Sequence, residues 1–452
     1  MEYIRLYVVT FNCGRELIRP DVFASYLSTV LSSPQPPDLV VFCLQEIAPI
    51  AWAFLGGSYL LPYFNQIRHA VSFATSKDGT EDNRYVHVHT DNVGMTAIMA
   101  FAKVGDAEDH IRFLEAAGVG VGLHEMGNKG AVGLRIGWAI GEAVVPISLV
   151  SAHLAPMENA LEKRNDDWEK IVKRLVFTGI GSQLNHVKRR QKSSEDSEDD
   201  DSIARDPLLE ATEEHRNDET GIFTATSHFI FAGDLNYRTS LRKPAVEDYK
   251  DFPQPAAQPG SRLHFSALLE KDQLSREMKS HKTCHGLQEA KINFPPTYKY
   301  TTKARLAAGG RQVSRPEWLW AKHRWPSWCD RILYLDMPSW MVSKYPSAHV
   351  QSRNYTALPL METSDHRPVA MEISIPSVTL KEPEAGDSKI EEVRCNPPFS
   401  LDPDWRSRRA AARRKEIVVG IGAFLCLTWE GRGILIAMLF AVLGTYWIIS
   451  SP

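Results

Sequence analysis

Short apolar runs recur along the chain, and polar residues stand just beyond the ends of many of them. Leu6-Tyr7-Val8-Val9-Thr10-Phe11 is rich in β-branched and aromatic residues and stops at Asn12-Cys13-Gly14. Leu39–Leu44 is continuously apolar, the pattern of a strand buried on both faces, and it delivers Gln45-Glu46. Further strand-like runs cover Gly94–Phe101, Gly130–Ile136 and Pro146–Ser151, the last leading to His153. His228-Phe229-Ile230-Phe231 leads to Gly233-Asp234-Leu235-Asn236, where a period of two would aim Asp234 and Asn236 to one side. Asp330 precedes Ile332–Leu335, and Ser364-Asp365-His366 precedes Val369–Ile375. Helical patterns fit Asp21 to about Leu31, Asn159–Leu175 and much of the polar region from Asn236 to about Gln288. Paired prolines make Phe294–Tyr300 a rigid extended segment.

Many strands with few helices between some of them predict an α/β fold, two packed β-sheets with helices outside. Residues far apart in sequence (Asn12, Glu46, His153, Asp234, Asn236, Asp365, His366) would then meet at one rim. The carboxylate and amide oxygens there suit a hard divalent cation such as Mg²⁺ better than zinc. Asp234 is a candidate general base on water, and Asp365-His366 can orient an imidazole. A metal with histidines and basic residues is what phosphate-ester hydrolysis requires.

Charge changes the picture in one place. Residues 195–219 hold 12 acidic side chains and two arginines, a net of −10 against −3 for the whole chain, so the remainder is +7 and suits an anionic substrate or surface. From about 188 to 220 there is no apolar periodicity, and a disordered acidic insertion is expected. The mixed charge elsewhere gives no reason to expect nucleic acid as a partner. The six cysteines (13, 43, 284, 329, 395, 426) form no CxxC pair, which fits a reducing, cytosolic setting. Met1 leads straight into strand-like sequence, so a signal peptide is not expected.

The motifs Gln45-Glu46, Gly127-Asn128-Lys129-Gly130, Ser151-Ala152-His153-Leu154, Arg164-Asn165-Asp166-Asp167, Gly233-Asp234-Leu235-Asn236-Tyr237-Arg238, Pro295-Pro296-Thr297-Tyr298-Lys299, Trp328-Cys329-Asp330-Arg331 and Ser364-Asp365-His366 stand in this order. In that order, over roughly residues 3–376, the chain resembles inositol polyphosphate 5-phosphatases of the endonuclease/exonuclease/phosphatase superfamily. The resemblance implies a four-layer α/β sandwich and Mg²⁺-dependent removal of an inositol 5-phosphate from phosphoinositides such as phosphatidylinositol 4,5-bisphosphate, or from soluble inositol polyphosphates. It implies that Glu46 holds Mg²⁺ with Asn12 close by, that Asp234 activates the water and that Asn236 helps position it. His366, paired with Asp330 or Asp365, and His153 would stabilise the scissile phosphate. Asn128 and Lys129, with Tyr298 and Lys299, would bind the neighbouring 4-phosphate side, and Arg164 and Asn165 would add substrate contacts. Two departures touch specificity: Cys13 stands where valine is usual, and Pro156-Met157 replaces a small residue and a histidine. The rival readings are a nuclease- or sphingomyelinase-like phosphodiesterase with the same chemistry, and a catalytically inactive membrane scaffold.

Residues 377–405 read as a polar linker and 406–415 as a basic juxtamembrane segment, with Arg406, Arg408, Arg409, Arg413, Arg414 and Lys415. Beyond them, 416–450 reads as a membrane anchor: Ile417–Trp429 and Gly433–Ile449 are apolar, with Glu430-Gly431-Arg432 between. Thirteen and seventeen helical residues rise about 20 and 25 Å, short of the roughly 30 Å hydrocarbon core. A hairpin and a single span stay open, and the charged break favours the hairpin. The basic flank places the catalytic domain on the cytosolic side, with the endoplasmic reticulum as one candidate membrane, and a monomer is expected.

Overall fold

The computed structural model describes residues 2–76, 84–105, 109–180, 220–309, 319–384 and 392–450. The expected acidic insertion lies outside the described residues except for Thr220, which bridges to Phe177. In chain order the first strands and helices are β1 (Tyr3–Asn12), α1 (Pro20–Leu31), β2 (Leu39–Gln45), α2 (Ile50–Leu55), α3 (Leu61–Thr75), β3 (Tyr85–Val93), β4 (Thr96–Lys103), β5 (Ile111–Gly120), β6 (Gly130–Ile140) and β7 (Ala143–His153). Then come α4 (Leu161–Arg174), β8 (Thr178–Gly179), β9 (His228–Asp234), α5 (Phe265–Leu269), α6 (Gln273–Lys279), β10 (Gln288–Glu289), α7 (Thr302–Gly309), β11 (Asp330–Tyr334), α8 (Ser339–Lys344), β12 (Gln351–Ala357) and β13 (Val369–Pro376). The chain closes with α9 (Trp405–Leu427) and α10 (Trp429–Ser450).

One sheet runs β12-β13-β1-β2-β4-β3 and the other β10-β11-β9-β7-β6-β5-β8. Alternation along each strand sorts side chains into three apolar layers. Leu6, Val8, Val41 and Cys43 of the first sheet meet Leu134, Leu149, Ile230 and Ile332 of the second in a central core. Val9, Phe11, Val40 and Phe42 point the other way, under Phe23 and Leu27 of α1 and Ile67 and Val71 of α3. On the far side Phe229 and Phe231 pack on Trp168 and Ile171 of α4. The expected four-layer α/β sandwich is therefore the observed architecture, and the continuously apolar Leu39–Leu44 run is a strand covered on both faces.

Three expectations are corrected. The region from Asn236 to Gln288 is mostly irregular, with short helices such as α5 and α6, because its polar residues satisfy backbone groups locally, as Ser240 does for the Arg242 N–H and Ser261 for the Leu263 N–H. Residues after β13 are no free linker: Val378 and Leu380 pack with Trp340 and Met341 of α8, and buried Arg394 donates to the Asp336 carbonyl. The basic segment is likewise no free juxtamembrane stretch. It forms one helix with residues up to Leu427, and that helix lies on the domain through buried Trp405, Ala412, Glu416 and Gly420. Arg413 donates to the Phe54 and Leu55 carbonyls at the end of α2, and Phe424 packs edge-on to Trp52. The expected 416–450 anchor thus reduces, among the described residues, to one helix long and apolar enough to cross a membrane, Trp429–Ser450, in which only Gly431 is buried.

Candidate active site

Register explains the convergence. β1 and β2 run parallel with Asn12 opposite Gln45, which sets Glu46 just past the same edge. In the second sheet β7 and β9 are parallel with His153 opposite Asp234, and β9 and β11 are antiparallel with Asp234 opposite Asp330. His153, Asp234 and Asp330 therefore form a row across three adjacent strands. Gly233 makes this row possible: its φ is +157°, and a Cβ there would stand 1.9 Å from the Ala152 carbonyl oxygen. The sheets are tied together at this rim, where the Asn12 Nδ2 donates to Asp234 Oδ2 at 2.9 Å. Deeper in, Gln45 donates to Ser151 Oγ at 3.3 Å and supports the same crossing.

Asp234 is the hub. Its Oδ2 lies 3.2 Å from His153 Nε2 and 3.8 Å from His366 Nε2, and its Oδ1 accepts the Asn236 N–H at 3.1 Å. Burial alone would raise its pKa, but His366, His153 and Lys129 hold it far below the ordinary carboxylate range. Asp330, not Asp365, pairs with His366, at 2.9 Å to Nδ1, and the Thr297 hydroxyl donates to the same carboxylate oxygen at 2.6 Å. Burial works against a charged imidazole here, yet Asp330 and Asp234 push His366 up to about 9. Burial pushes Asp330 up while His366 pulls it down. Ser364 locks the loop that carries His366: its hydroxyl donates to the Asn12 carbonyl at 2.6 Å and accepts the His366 N–H at 3.1 Å.

The anionic and cationic sides lie next to each other. Lys129 donates to the His153 ring and stands 3.7 Å from Glu46, whose other oxygen takes the Arg15 guanidinium at 2.8 Å. Burial alone would raise the Glu46 pKa, but His153, Lys129 and Arg15 lower it. Burial lowers both Lys129 and His153, and Lys129 pushes His153 down further. Tyr298 packs its ring 4.5 Å from that of His366 and under the Arg238 guanidinium. Lys299 pairs with Asp365, which explains why Asp365 is not the partner of His366. Ligand atoms of Asp234, Asp330 and His366 lie within 4.8 Å of one another, a spacing that also admits a metal ion.

Other expected contacts are redirected. Arg164 is fully buried, and its guanidinium donates to the Ala155 and Met157 carbonyls and to Gln273. Asn165 donates to Glu277 and accepts from the Tyr237 hydroxyl, so Arg164 braces the loop after β7 and Asn165 ties α4 to α6 and to the segment after β9. Asn128 folds its amide oxygen onto the Leu123 N–H. Asn236 lies beyond the end of β9 at φ +57°, so an Asx-type turn onto Asp234, and not the strand pleat, brings the two together. Its amide is spent on the Leu154 carbonyl and Arg238. Sequence reasoning gave no role to Arg15, Arg238, Thr297 or Ser364. The last three lie inside quoted motifs, a usable signal, whereas Arg15 sits in none.

Similarity to known proteins points the same way. The chain is 29% identical over 377 residues to the type I inositol polyphosphate 5-phosphatase 13 of Arabidopsis thaliana, covering 81% of this chain and 30% of that one. It is 28% identical over 284 residues to phosphatidylinositol 3,4,5-trisphosphate 5-phosphatase 2B of Danio rerio, covering 60% of this chain and 18% of that one. The chain thus spans less than a third of the length of these relatives. Its fold matches the inositol polyphosphate 5-phosphatase domain of SPsynaptojanin, solved with inositol 1,4-bisphosphate and a calcium ion, at a TM-score of 0.54 and 22% identity over 83% of this chain and 84% of that one. Residues 9–372 match the model of endonuclease/exonuclease/phosphatase family 2, and the chain belongs to that family.

Proposed function

We propose that this protein is a Mg²⁺-dependent phosphatase that removes the 5-phosphate of phosphoinositides, with soluble inositol polyphosphates as further substrates. The observation that carries the reading is the convergence on one rim of an ionised buried carboxylate, Asp234, with a charged imidazole, His366, and an ammonium, Lys129. The relatives' names supply the substrate class.

The donor set fits a hard cation: Glu46 is ionised at the edge of the site with one fifth of its side chain exposed, and Asn12, on the adjacent strand end opposite Gln45, adds an amide oxygen that accepts the Gly14 N–H. Glu46 and Asn12 would hold Mg²⁺, which when bound would neutralise phosphoryl charge and polarise the ester. Asp234 takes a proton from the attacking water, and Asn12 and the Asn236 N–H fix the orientation of its carboxylate. The His366 imidazolium faces the charge that grows on the phosphoryl oxygens, and Asp330 keeps its ring in place. Lys129, Tyr298 and Lys299 grip the neighbouring 4-phosphate, with Lys299 exchanging Asp365 for the phosphate. Residues 1–376 carry this chemistry. The helix Trp429–Ser450 anchors a monomeric protein in a membrane, the endoplasmic reticulum being one candidate, with the catalytic side in the cytosol. Phosphate release from a panel of soluble and lipid inositol phosphates, with and without Mg²⁺, tests the reading. Release only from 5-phosphate-bearing substrates and only with the metal is expected, and cleavage of nucleic acid or sphingomyelin instead would overturn it.

A further inference from the structure

The tail helix α9 does more than link the domain to α10. It touches the loop between β5 and β6 at three points. Arg408 pairs with Glu125 at 3.3 Å, Lys415 reaches the His124 carbonyl at 3.5 Å, and Glu416 accepts the Gly127 N–H at 2.8 Å. Glu416 is completely buried, and Arg409 and Arg413 hold its carboxylate from the helix side. A buried acidic side chain aimed at a backbone N–H on another element is costly unless that contact is kept.

The loop it holds is the one that presents Lys129. His124 and Glu125 are consecutive non-glycine residues at φ +53° and +66°, a backbone that the surroundings must impose. Gly127 is clamped from both sides: Met95 N–H donates to its carbonyl at 2.9 Å, and Glu416 takes its N–H. The fit is close, since a Cβ on Gly127 would stand 2.8 Å from the Gly94 nitrogen. Two residues on, Lys129 stands at His153 and Glu46.

We propose that Glu416 is a positioning residue for the substrate site: it fixes Gly127, and through it Lys129, so that the 4-phosphate grip depends on the contact between Glu416 and the Gly127 N–H. From Glu416 to Leu427 the helix is continuous, a rod of about 16 Å, and α10 follows after Thr428. Thr428, at φ −93° and ψ 157°, ends that rod, so α9 alone spans from the substrate loop to the start of the apolar helix. The kinetic part of this inference rests on the phosphatase reading above, and the structural part does not.

The test uses the full chain in phosphatidylcholine vesicles, as wild type, Glu416→Ala, Glu416→Gln and Phe424→Ala. Phe424 contributes to docking against Trp52 but does not touch the loop, so it separates loop positioning from general attachment. Amide hydrogen exchange across residues 122–129 is read beside kcat and KM on inositol 1,4,5-trisphosphate and on inositol 1,5-bisphosphate. Glu416→Ala is expected to speed exchange at Gly127 and raise KM for the trisphosphate by about ten-fold each, with kcat changed by less than about three-fold. Glu416→Gln, which keeps an acceptor oxygen, falls between wild type and Ala, and Phe424→Ala leaves both readouts near wild type. Unchanged exchange in Glu416→Ala overturns the inference. So does an equal loss on both substrates, or a Phe424→Ala protein as impaired as Glu416→Ala. A wild type that releases no phosphate overturns the functional reading instead, and exchange alone then decides the positioning role.

Discussion

Replacing Asp330 by Asn isolates the charge that keeps His366 protonated. The Asp330 Oδ2 to His366 Nδ1 bond is 2.9 Å, both groups are buried, and His366 stands at about 9. A hydrogen bond to a charged partner is worth roughly 1.5–3 kcal/mol. At about 1.4 kcal/mol per pH unit, losing it lowers the imidazole by roughly 1–2 units, to between about 7 and 8. At pH 8 the charged fraction then falls from about 90% to between roughly 10 and 50%. The pH profile of kcat/KM on a soluble inositol polyphosphate should show its alkaline limb displaced downward by that amount. The stability profile carries the same sign. A raised histidine pKa adds stability that is complete below about 6.5 and is lost as pH rises through about 9, and in the variant this loss should shrink to a window ending at about 7 to 8. A kcat/KM reduced evenly at every pH, with the limb unmoved, would refute the electrostatic role and leave Asp330 only an orienting one.

Asp234→Asn should keep the fold and lose on the order of 10²–10⁴ in kcat, the worth of a positioned general base; normal turnover by a folded variant would remove that role. His228, at the start of β9, is pushed down to about 3 by burial, with Arg394 adding to it. The unfolded chain takes up this proton near 6.5 and the folded chain does not, so stability present above that pH is lost as pH falls toward 3. His228→Phe should flatten the acid side of the denaturation midpoint against pH, and an unchanged slope would show that other groups govern it. A chain cut after Thr428 should be soluble and keep wild-type turnover on soluble substrate, whereas one cut after Ser400 should melt lower and bind that substrate more weakly. Equal behaviour of the two truncations would mean that α9 contributes nothing to the domain.

The site was legible wherever chemistry sat at the end of an apolar run. Asn12, Glu46, His153, Asp234 and Asp330 all lie at strand ends, and strand register alone then brings them together. The choice between Asp330 and Asp365 was not legible, because it depends on Lys299 claiming Asp365 from a separate loop. Arg164 and Asn165 illustrate the reverse error: a polar pair inside a motif reads as a substrate contact, yet a domain also uses such groups to satisfy buried carbonyls and amides. Strands β3, β5 and β12 escaped notice for a different reason. His87, Thr90 and Asn92 of β3, and Arg112 and Glu115 of β5, break the apolar runs, since edge and near-edge strands need bury only part of their length.

The tail was misread because six basic residues before an apolar stretch have two physical explanations that composition cannot separate. A solvated patch facing anionic lipid needs its charges free, whereas a docked helix spends them on protein acceptors. Arg408 on Glu125 and Asp402, Arg409 on Glu416, and Arg413 on Glu416 and two backbone carbonyls belong to the second kind. One residue in the sequence distinguished them. Glu416 stands at the head of the apolar run, where a membrane-bound helix would bear its cost and a docked helix can bury it against an N–H and two arginines. The same residue moves the start of the helix long and apolar enough to cross a membrane from 416 to Trp429, leaving Glu430 and Arg432 in its first turn, where charges could stay near a water interface.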